Sequence, residues 1–251
     1  MNERFSRVSM LFGEDKLAML HKAKVAVFGL GGVGSYAAEA LARSGVGEIA
    51  LIDFDRVEIS NINRQILALD STLGRLKTDV CAERINDINP ECRLQLFAEF
   101  FDERTLSKIF SALDSYIVLD CIDTFNSKTL LIKHCLENDI PVFSSMGAAG
   151  KKDPSQIKLA DISKTSVCPL ARKIRKYLVK NKIKGKLPVV FSTEPFEVSS
   201  DSLLFEKTSQ KDASSEDSAL PEKPPLGALC HITAIFGLML AASAINYITE
   251  N

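Results

Sequence analysis

The sequence lacks the features that mark secreted, zinc-binding or strongly charged proteins. Its six cysteines include no Cys-x-x-Cys pair, which excludes a four-thiolate zinc site of the usual spacing. The first ten residues, MNERFSRVSM, lack the apolar stretch of a signal peptide, so the sequence predicts a cytoplasmic protein. A composition of 46% hydrophobic and 25% charged residues excludes a wholly disordered or fibrous chain. We expect one large domain over all 251 residues, 1–251.

The formal net charge of −1 conceals two segregated blocks of charge. Residues 151–186 hold 12 Lys and Arg against 2 Asp and Glu, a local net of +10. Such a block is typical of a surface that binds a polyanion, with a solvated lysine face as the alternative. Residues 194–223 are acidic, and the seven serines and three prolines of residues 199–225 predict a flexible acidic loop, because few apolar side chains offset its ordering entropy.

The apolar pattern alternates short β-branched runs with amphipathic helical stretches. Strands are predicted at residues 24–28, 48–53, 93–98, 115–119, 140–144 and 187–193, and helices at 34–44, 76–88, 127–138 and 169–180. This alternation predicts an α/β fold that is Rossmann-like, with a doubly wound, mostly parallel sheet. The basic segment 151–186 is predicted to be a surface insertion that contains one helix.

The C-terminal segment, residues 226–248, is largely apolar and approaches the roughly 20 residues that span a bilayer. It contains His231 and Asn246, and little positive charge follows it. These features favour a buried packing helix, with membrane association as the alternative.

A glycine-rich loop, GLGGVG at residues 29–34, follows the first predicted strand and precedes a helix whose N-terminus can face a phosphate. We expect Gly29 to permit a tight turn, Gly31 to let the backbone approach a phosphate, and Gly34 to allow close packing of helix on strand. Asp53 closes the next strand, where a carboxylate can accept hydrogen bonds from ribose hydroxyls. The pattern predicts an adenine nucleotide without separating NAD from ATP.

Polar residues further along favour ATP. Arg64 and Lys77 could converge on the glycine loop and neutralise a triphosphate, although surface solvation is the alternative for each. Asp123 follows a predicted strand, at the edge where open α/β sheets bind ligands, and is placed to hold Mg²⁺. Asp120 is expected to be structural.

Several motifs occur together and in order: GLGGVGSYAAEALARSGVGEIALIDFD from residue 29, SNINRQ from residue 60 and DCIDTFNSK from residue 120. With them the chain resembles the adenylating domain of ubiquitin-activating-like enzymes, the ThiF/MoeB superfamily, which use ATP to convert a carboxylate into an acyl adenylate. Further motifs resemble the tRNA threonylcarbamoyladenosine dehydratase family (TcdA, or CsdL): RFSR at 4–7, INPEC at 88–92, SMGAAGKKDP at 145–154, DISKT at 161–165 and VVFSTE at 189–194.

The resemblance implies ATP-dependent cyclisation of threonylcarbamoyladenosine beside the tRNA anticodon, through an acyl adenylate, with release of AMP and pyrophosphate. By position it implies ATP binding by Gly29, Gly31, Gly32, Gly34, Asp53, Asp55, Asn61, Arg64, Gln65, Lys77 and Asp123. It assigns Mg²⁺ to Asp123 and catalysis to Arg7, Arg64, Lys77 and Asp123. Arg7 resembles an arginine that reaches the partner's ATP across a homodimer, so a homodimer is expected.

The partner implied by the resemblance is tRNA and not DNA. We expect phosphate contacts from the predicted basic helix, through Arg172, Lys173, Arg175 and Lys176. Tyr177 is the only aromatic residue within the basic block, so base stacking is not predicted there.

Departures from the superfamily leave two alternatives open. The sulfur-carrier relatives have paired zinc-binding cysteines, which this chain lacks, and the chain has no room for a separate catalytic-cysteine domain. Cys168 is not expected to be a nucleophile. Cys230 has a better claim, because the family can accept sulfur from a cysteine desulfurase partner, but a buried structural thiol is favoured there. The alternatives are adenylation of the C-terminus of a ubiquitin-like or sulfur-carrier protein, and non-catalytic binding of a nucleotide or tRNA.

Overall fold

One sheet of seven strands organises the chain. The computed structural model describes residues 3–195 and 227–250, so the predicted loop at 199–225 lies outside the described residues. The strands are β1 (Lys24–Phe28), β2 (Glu48–Ile52), β3 (Arg93–Phe97), β4 (Ile117–Asp120), β5 (Val142–Ser145), β6 (Ile157–Asp161) and β7 (Pro188–Ser192). Their order across the sheet is β3-β2-β1-β4-β5-β7-β6.

The sheet is parallel except at one edge, where β6 runs antiparallel to β7. From β1 the chain first builds outward through β2 and β3, and then crosses back to place β4 on the other side of β1. The predicted doubly wound α/β class is therefore confirmed. The reversal lies between β1 and β4, and open α/β sheets bind their ligands outside the carboxyl ends of such strands.

Eight α-helices flank the sheet within the described residues. They are α1 (Ser6–Phe12), α2 (Glu14–Lys22), α3 (Gly34–Arg43), α4 (Lys77–Ile88), α5 (Glu103–Ala112), α6 (Phe125–Glu137), α7 (Pro169–Lys180) and α8 (Cys230–Glu250). The predicted helix 169–180 coincides with α7, where Pro169 occupies the first turn and needs no N–H partner.

Alternate residues of the central strands enter two separate cores. Val25 and Val27 of β1 pack with α3, α4 and α8, whereas Ala26 and Phe28 pack with α5, α6 and α7 on the other face. Because helices cover both faces, the strands are continuous apolar runs without a polar side.

Helix α8 has a mean hydropathy of 1.7 and is long enough to cross a membrane. Its residues Ile232, Phe236, Leu240 and Ala244 are nevertheless fully buried in the core on the α3 side of the sheet. A Cβ at Gly237 would lie 2.2 Å from the carbonyl oxygen of Val33, so the helix rests directly on the start of α3. This arrangement agrees with the packing helix that the sequence favours.

The basic segment 151–186 differs from the insertion with one helix that was predicted. It also contains β6, which pairs with β7 along the outer edge of the sheet. Lys158 and Leu159 are exposed on this strand, so its sequence has little of the apolar signal of a central strand. The segment is thus part of the sheet as well as its surface.

Candidate nucleotide-binding site

A cavity of about 770 Å³ opens at the carboxyl ends of β1, β2, β4 and β5. Ten of the residues predicted to bind ATP line it: Gly29, Gly31, Gly32, Asp53, Asp55, Asn61, Arg64, Gln65, Lys77 and Asp123. The cavity is of the size that binds small molecules in proteins, and its walls combine apolar side chains with a few polar groups.

The glycine loop turns tightly between β1 and α3. Gly29 has a φ of +88°, and a Cβ at that residue would lie 2.9 Å from the carbonyl oxygen of Cys121. A Cβ at Gly34 would lie 1.8 Å from the carbonyl oxygen of Gly29, which no side chain tolerates. The two positions therefore require glycine for the turn and for the close approach of α3 to the strand ends.

Asp53, the residue after β2, faces the same loop. Its Oδ2 accepts a hydrogen bond from the backbone N–H of Leu30 at 2.5 Å, and its Oδ1 accepts one from the backbone N–H of Asp55 at 2.8 Å. Burial raises the pKa of the Asp53 carboxyl above its ordinary value, although nearby Lys77 and these backbone donors act in the opposite direction. The carboxylate therefore lies on the cavity wall, next to the glycine loop.

Two cations reach the cavity from the segment between β2 and α4. The Nζ of Lys77, a residue only 4% exposed, lies 2.6 Å from Oδ2 of Asp55. Arg64 is held by its Nη1, which donates to the carbonyl oxygen of Ser60 at 2.8 Å and to Oδ1 of Asn63 at 2.9 Å. The sequence left surface solvation open for both residues, and the structure instead places both on the cavity wall.

Gln65 supplies a polar group without a partner. Its amide lies over Gly31, and its Oε1 is buried with no hydrogen-bond donor among the described residues. A buried carbonyl oxygen without a donor is costly, so this atom is suited to a donor on a bound ligand. Asn61, also buried on this wall, uses its Oδ1 to accept from the backbone N–H of Glu58.

The loop that contains Asp123 rests on a buried ion pair that the sequence did not predict. The Nζ of Lys128 lies 2.7 Å from Oδ2 of Asp120, and Ser144 donates its hydroxyl to the same oxygen. Oδ1 of Asp120 accepts from the backbone N–H of Ile122. This network fixes the start of the 121–124 loop, which agrees with a structural role for Asp120. The sequence signal for this pair was the DCIDTFNSK motif, in which Asp120 ends β4 and Lys128 lies in the first turn of α6.

Asp123 itself is exposed at the cavity. Residues 3–195 and 227–250 contain no cluster of three or more His, Cys, Asp or Glu side chains that could hold a metal ion. One carboxylate is nonetheless a fitting donor for Mg²⁺, which in nucleotide sites is held by one or two carboxylates together with phosphate oxygens and waters.

The remaining predicted site residues lie outside this wall or on its rim. Arg7 lies on exposed α1, where its Nη1 contacts Sδ of Met10, and does not line the cavity. Lys173 of α7 lines the cavity, and Arg172 and Lys176 are exposed beside it. Of the twelve basic residues in 151–186, ten are exposed, so the block forms a cationic surface.

Two basic side chains of that block have structural partners. Nη1 of Arg175 donates to the carbonyl oxygen and Oγ1 of Thr165, so its guanidinium ties α7 to the preceding turn. Lys151 is buried and donates its Nζ to the carbonyl oxygen of Glu194. These contacts favour a stabilising role for Arg175, and its assignment to tRNA binding stays a prediction.

The structure corrects one expectation about cysteine. Cys230 is exposed at the first residue of α8, with its Sγ 2.9 Å from the hydroxyl of Tyr36, so the predicted buried thiol is wrong. Its place in the first turn of a helix that packs through later residues explains the exposure. Cys168 is buried at the N-terminus of α7 and does not line the cavity.

A doubly wound sheet with a glycine loop, a carboxylate after the second strand and cations at one cavity is typical of nucleotide-binding α/β proteins. Residues 5–251 match the model of the ThiF family, and the chain belongs to that family. The superfamily resemblance seen in the sequence is thereby confirmed.

Within this family the chain is similar to enzymes of one named activity. The chain is 41% identical over 246 residues to the tRNA threonylcarbamoyladenosine dehydratase of Bacillus subtilis (strain 168), over 98% of this chain and 94% of the relative. A crystal structure of the E. coli enzyme TcdA, tRNA N6-threonylcarbamoyladenosine dehydratase, in complex with ATP matches with a TM-score of 0.84 at 37% identity, over 99% and 94% of the two chains. A second structure of that enzyme, in complex with AMP, matches with a TM-score of 0.83 over the same shares.

Proposed function

We propose that this chain is an ATP-dependent tRNA threonylcarbamoyladenosine dehydratase that cyclises its substrate through an acyl adenylate. The observation that carries the proposal is the single cavity in which Asp53, Lys77, Arg64 and Asp123 surround the glycine loop. The relatives of the same name, which the chain matches over nearly its whole length, support this substrate, and their complexes with ATP and AMP support this nucleotide.

The chemistry balances without a protein nucleophile. An oxygen of the threonyl carboxylate attacks the α-phosphorus of ATP, and the bond from that phosphorus to the bridging oxygen breaks, which releases pyrophosphate. The ureido group of the same nucleoside then attacks the acyl carbon and closes a ring. AMP leaves with the former carboxylate oxygen, and the ureido proton passes to solvent, so the nucleoside loses one water. The tethered nucleophile is at high effective concentration, and the protein mainly positions and activates.

Each residue has a defined task in this scheme. Asp53 accepts hydrogen bonds from the ribose hydroxyls, and the glycine loop at the N-terminus of α3 faces the phosphates. Lys77 and Arg64 stabilise negative charge on the transferring and leaving phosphates. Mg²⁺, held by Asp123 and phosphate oxygens, would supply further charge neutralisation for the leaving pyrophosphate.

The dimer and the tRNA surface belong to the same proposal. Arg7 stands on α1 beside Met10 and Leu11, which are 73% and 77% exposed, and exposed apolar residues of this kind suit a contact with a second copy. In a homodimer Arg7 would complete the partner's ATP site. The exposed cations of 151–186 would bind tRNA phosphates in the cytoplasm, and exposed Cys230 would be reachable by a sulfur donor such as a cysteine desulfurase.

Product analysis tests this function. The purified protein is incubated with ATP and tRNA that contains threonylcarbamoyladenosine. The tRNA is then digested to nucleosides, which are separated and analysed by mass spectrometry. We expect a nucleoside lighter by one water, formed only with ATP. An unchanged nucleoside, together with adenylation of a small carrier protein that ends in Gly-Gly, would instead support protein activation.

A further inference from the structure

Two aromatic rings meet between the Asp123 loop and the basic helix α7. The ring of Phe125 lies 6.2 Å from that of Tyr177, centroid to centroid, with the ring planes at 88°. Phe125 is the first residue of α6, two positions after Asp123, and is 37% exposed. Sequence patterns do not predict this pair, because Tyr177 is the only aromatic residue of the basic block and its partner lies in a distant segment.

The pair continues a face of α7 that begins inside the cavity. Pro169, Leu170 and Lys173 line the cavity, and Tyr177 follows Lys173 by four residues. Residues four apart on a helix lie on one face, about 6 Å apart along the axis. The same face therefore runs from the nucleotide cavity to the aromatic pair, with the exposed cations Arg172 and Lys176 beside it.

Phe125 is exposed and Tyr177 is half-buried, and a different aromatic pair, with both rings exposed, occupies the other side of the cavity. Phe54, next to Asp53, stands edge-on to Phe100 with the ring centroids 4.9 Å apart. Phe54 follows β2 and Phe125 follows β4, and β1 lies between these strands. The Phe54 side thus lies with Asp53, whereas the Phe125 side lies with Asp123 and the cations of α7.

We propose that Phe125 and Tyr177 form a stacking site for an unstacked base of the tRNA anticodon loop, adjacent to the modified adenosine in the cavity. This inference rests on the proposed function. Proteins recognise RNA loops by stacking splayed bases on aromatic side chains, next to cations that bind the backbone. The face of α7 offers both groups, in line with the cavity where the adenosine reacts.

Steady-state kinetics with modified tRNA test the site. We expect Phe125→Leu and Tyr177→Leu each to lower kcat/KM for modified tRNA by about tenfold, because each removes a ring and keeps an apolar side chain. The KM for ATP and the salt dependence of kcat/KM should not change, since no charge is altered. Phe125→Tyr and Tyr177→Phe keep an aromatic ring and should retain the wild-type kcat/KM. Tyr247→Leu is the matched control, because Tyr247 forms a similar edge-on pair with Phe143 at the amino ends of the strands.

Fluorescence of a base analogue reports stacking directly. An anticodon stem-loop with 2-aminopurine beside the target adenosine is titrated with the protein, which contains no tryptophan to interfere. Quenching by the wild-type chain that is weaker in both leucine variants supports the site. Quenching and kcat/KM equal to those of the wild type would overturn the site. If one variant fails to fold, the same comparison with the other variant decides. A wild-type chain without turnover on modified tRNA would instead overturn the proposed function.

Discussion

The carboxylate of Asp53 accepts a hydrogen bond from the backbone N–H of Leu30, with Oδ2 and N 2.5 Å apart. This bond joins the end of β2 to the middle of the glycine loop, so the proposed ribose-binding carboxylate and the proposed phosphate-binding loop are positioned together. The same carboxylate also accepts from the backbone N–H of Asp55, whose own carboxylate pairs with Lys77. The residues of the proposed ATP site are thus joined by hydrogen bonds and an ion pair.

The affinity for ATP should therefore decrease at acidic pH. Burial raises the pKa of the Asp53 carboxyl, and only the ionised form can accept both ribose hydroxyls. As pH falls through that raised pKa, Asp53 takes up a proton and ATP binding weakens. This loss begins at a higher pH than the titration of an ordinary aspartate would produce. Asp53→Asn should bind ATP more weakly than the wild type at neutral pH, and the difference between the two proteins should shrink as pH falls through the raised pKa of Asp53.

Calorimetric titration of both proteins over the acidic range measures the effect. The phosphates of ATP titrate equally in the two experiments, so the difference between the proteins isolates Asp53. Parallel pH profiles for wild type and Asp53→Asn would refute the assignment.

Asp123→Ala should abolish pyrophosphate release, because the Mg²⁺ proposed to neutralise the leaving pyrophosphate would lose its protein ligand. Asp139→Asn is a suitable control, since Asp139 is exposed at the amino ends of the strands and its φ of +54° suits asparagine. A pyrophosphate assay over a range of Mg²⁺ concentrations compares the two variants. Equal turnover of the two variants at every Mg²⁺ concentration would remove Asp123 from the mechanism.

The exposed cations of α7 should contribute to the salt dependence of tRNA binding. Each of Arg172→Gln, Lys173→Gln and Lys176→Gln should weaken binding and reduce the slope of log affinity against log salt by about 0.7 to 0.9. Arg175→Gln should mainly lower the melting temperature, because its guanidinium bonds to Thr165. If the three neutral variants keep the wild-type slope in a filter-binding assay, the cationic surface does not contact tRNA.

Removal of cysteine thiols should leave cyclisation largely intact. Cys168 is buried away from the cavity, and burial raises the pKa of Cys121, which lines the cavity, so that its thiol stays neutral at physiological pH. We expect Cys168→Ala and Cys121→Ala to keep most of the wild-type turnover in the product assay. Loss of turnover in either folded variant would point to a covalent intermediate and contradict the scheme.

Local patterns of the sequence predicted the parts of the fold that are locally encoded. The glycine loop, the β1 apolar run and the bounds of α7 follow from short stretches whose residue types leave few conformations open. Edge strand β6 was missed, because a strand that is paired on one side only needs little apolar sequence. The short helices α1, α2 and α5 were missed as well.

The site was predicted less completely, for a physical reason. Asp53 and Asp123 follow strand ends, so their places at one edge of the sheet could be inferred from the predicted topology, whereas Asn61 and Gln65 were assigned only from the family resemblance. Their supports depend on contacts between distant segments, such as Ser144 with Asp120 and Thr165 with Arg175. No periodicity encodes such contacts. The exposure of Cys230 likewise depends on how α8 packs, and the sequence pattern alone favoured burial.

The most direct test of the central claim is ATP consumption, followed as AMP and pyrophosphate, with tRNA that contains or lacks threonylcarbamoyladenosine. The account predicts equal formation of AMP and pyrophosphate with the modified tRNA and none with the unmodified tRNA. Turnover with neither tRNA, or equal turnover with both, would contradict it.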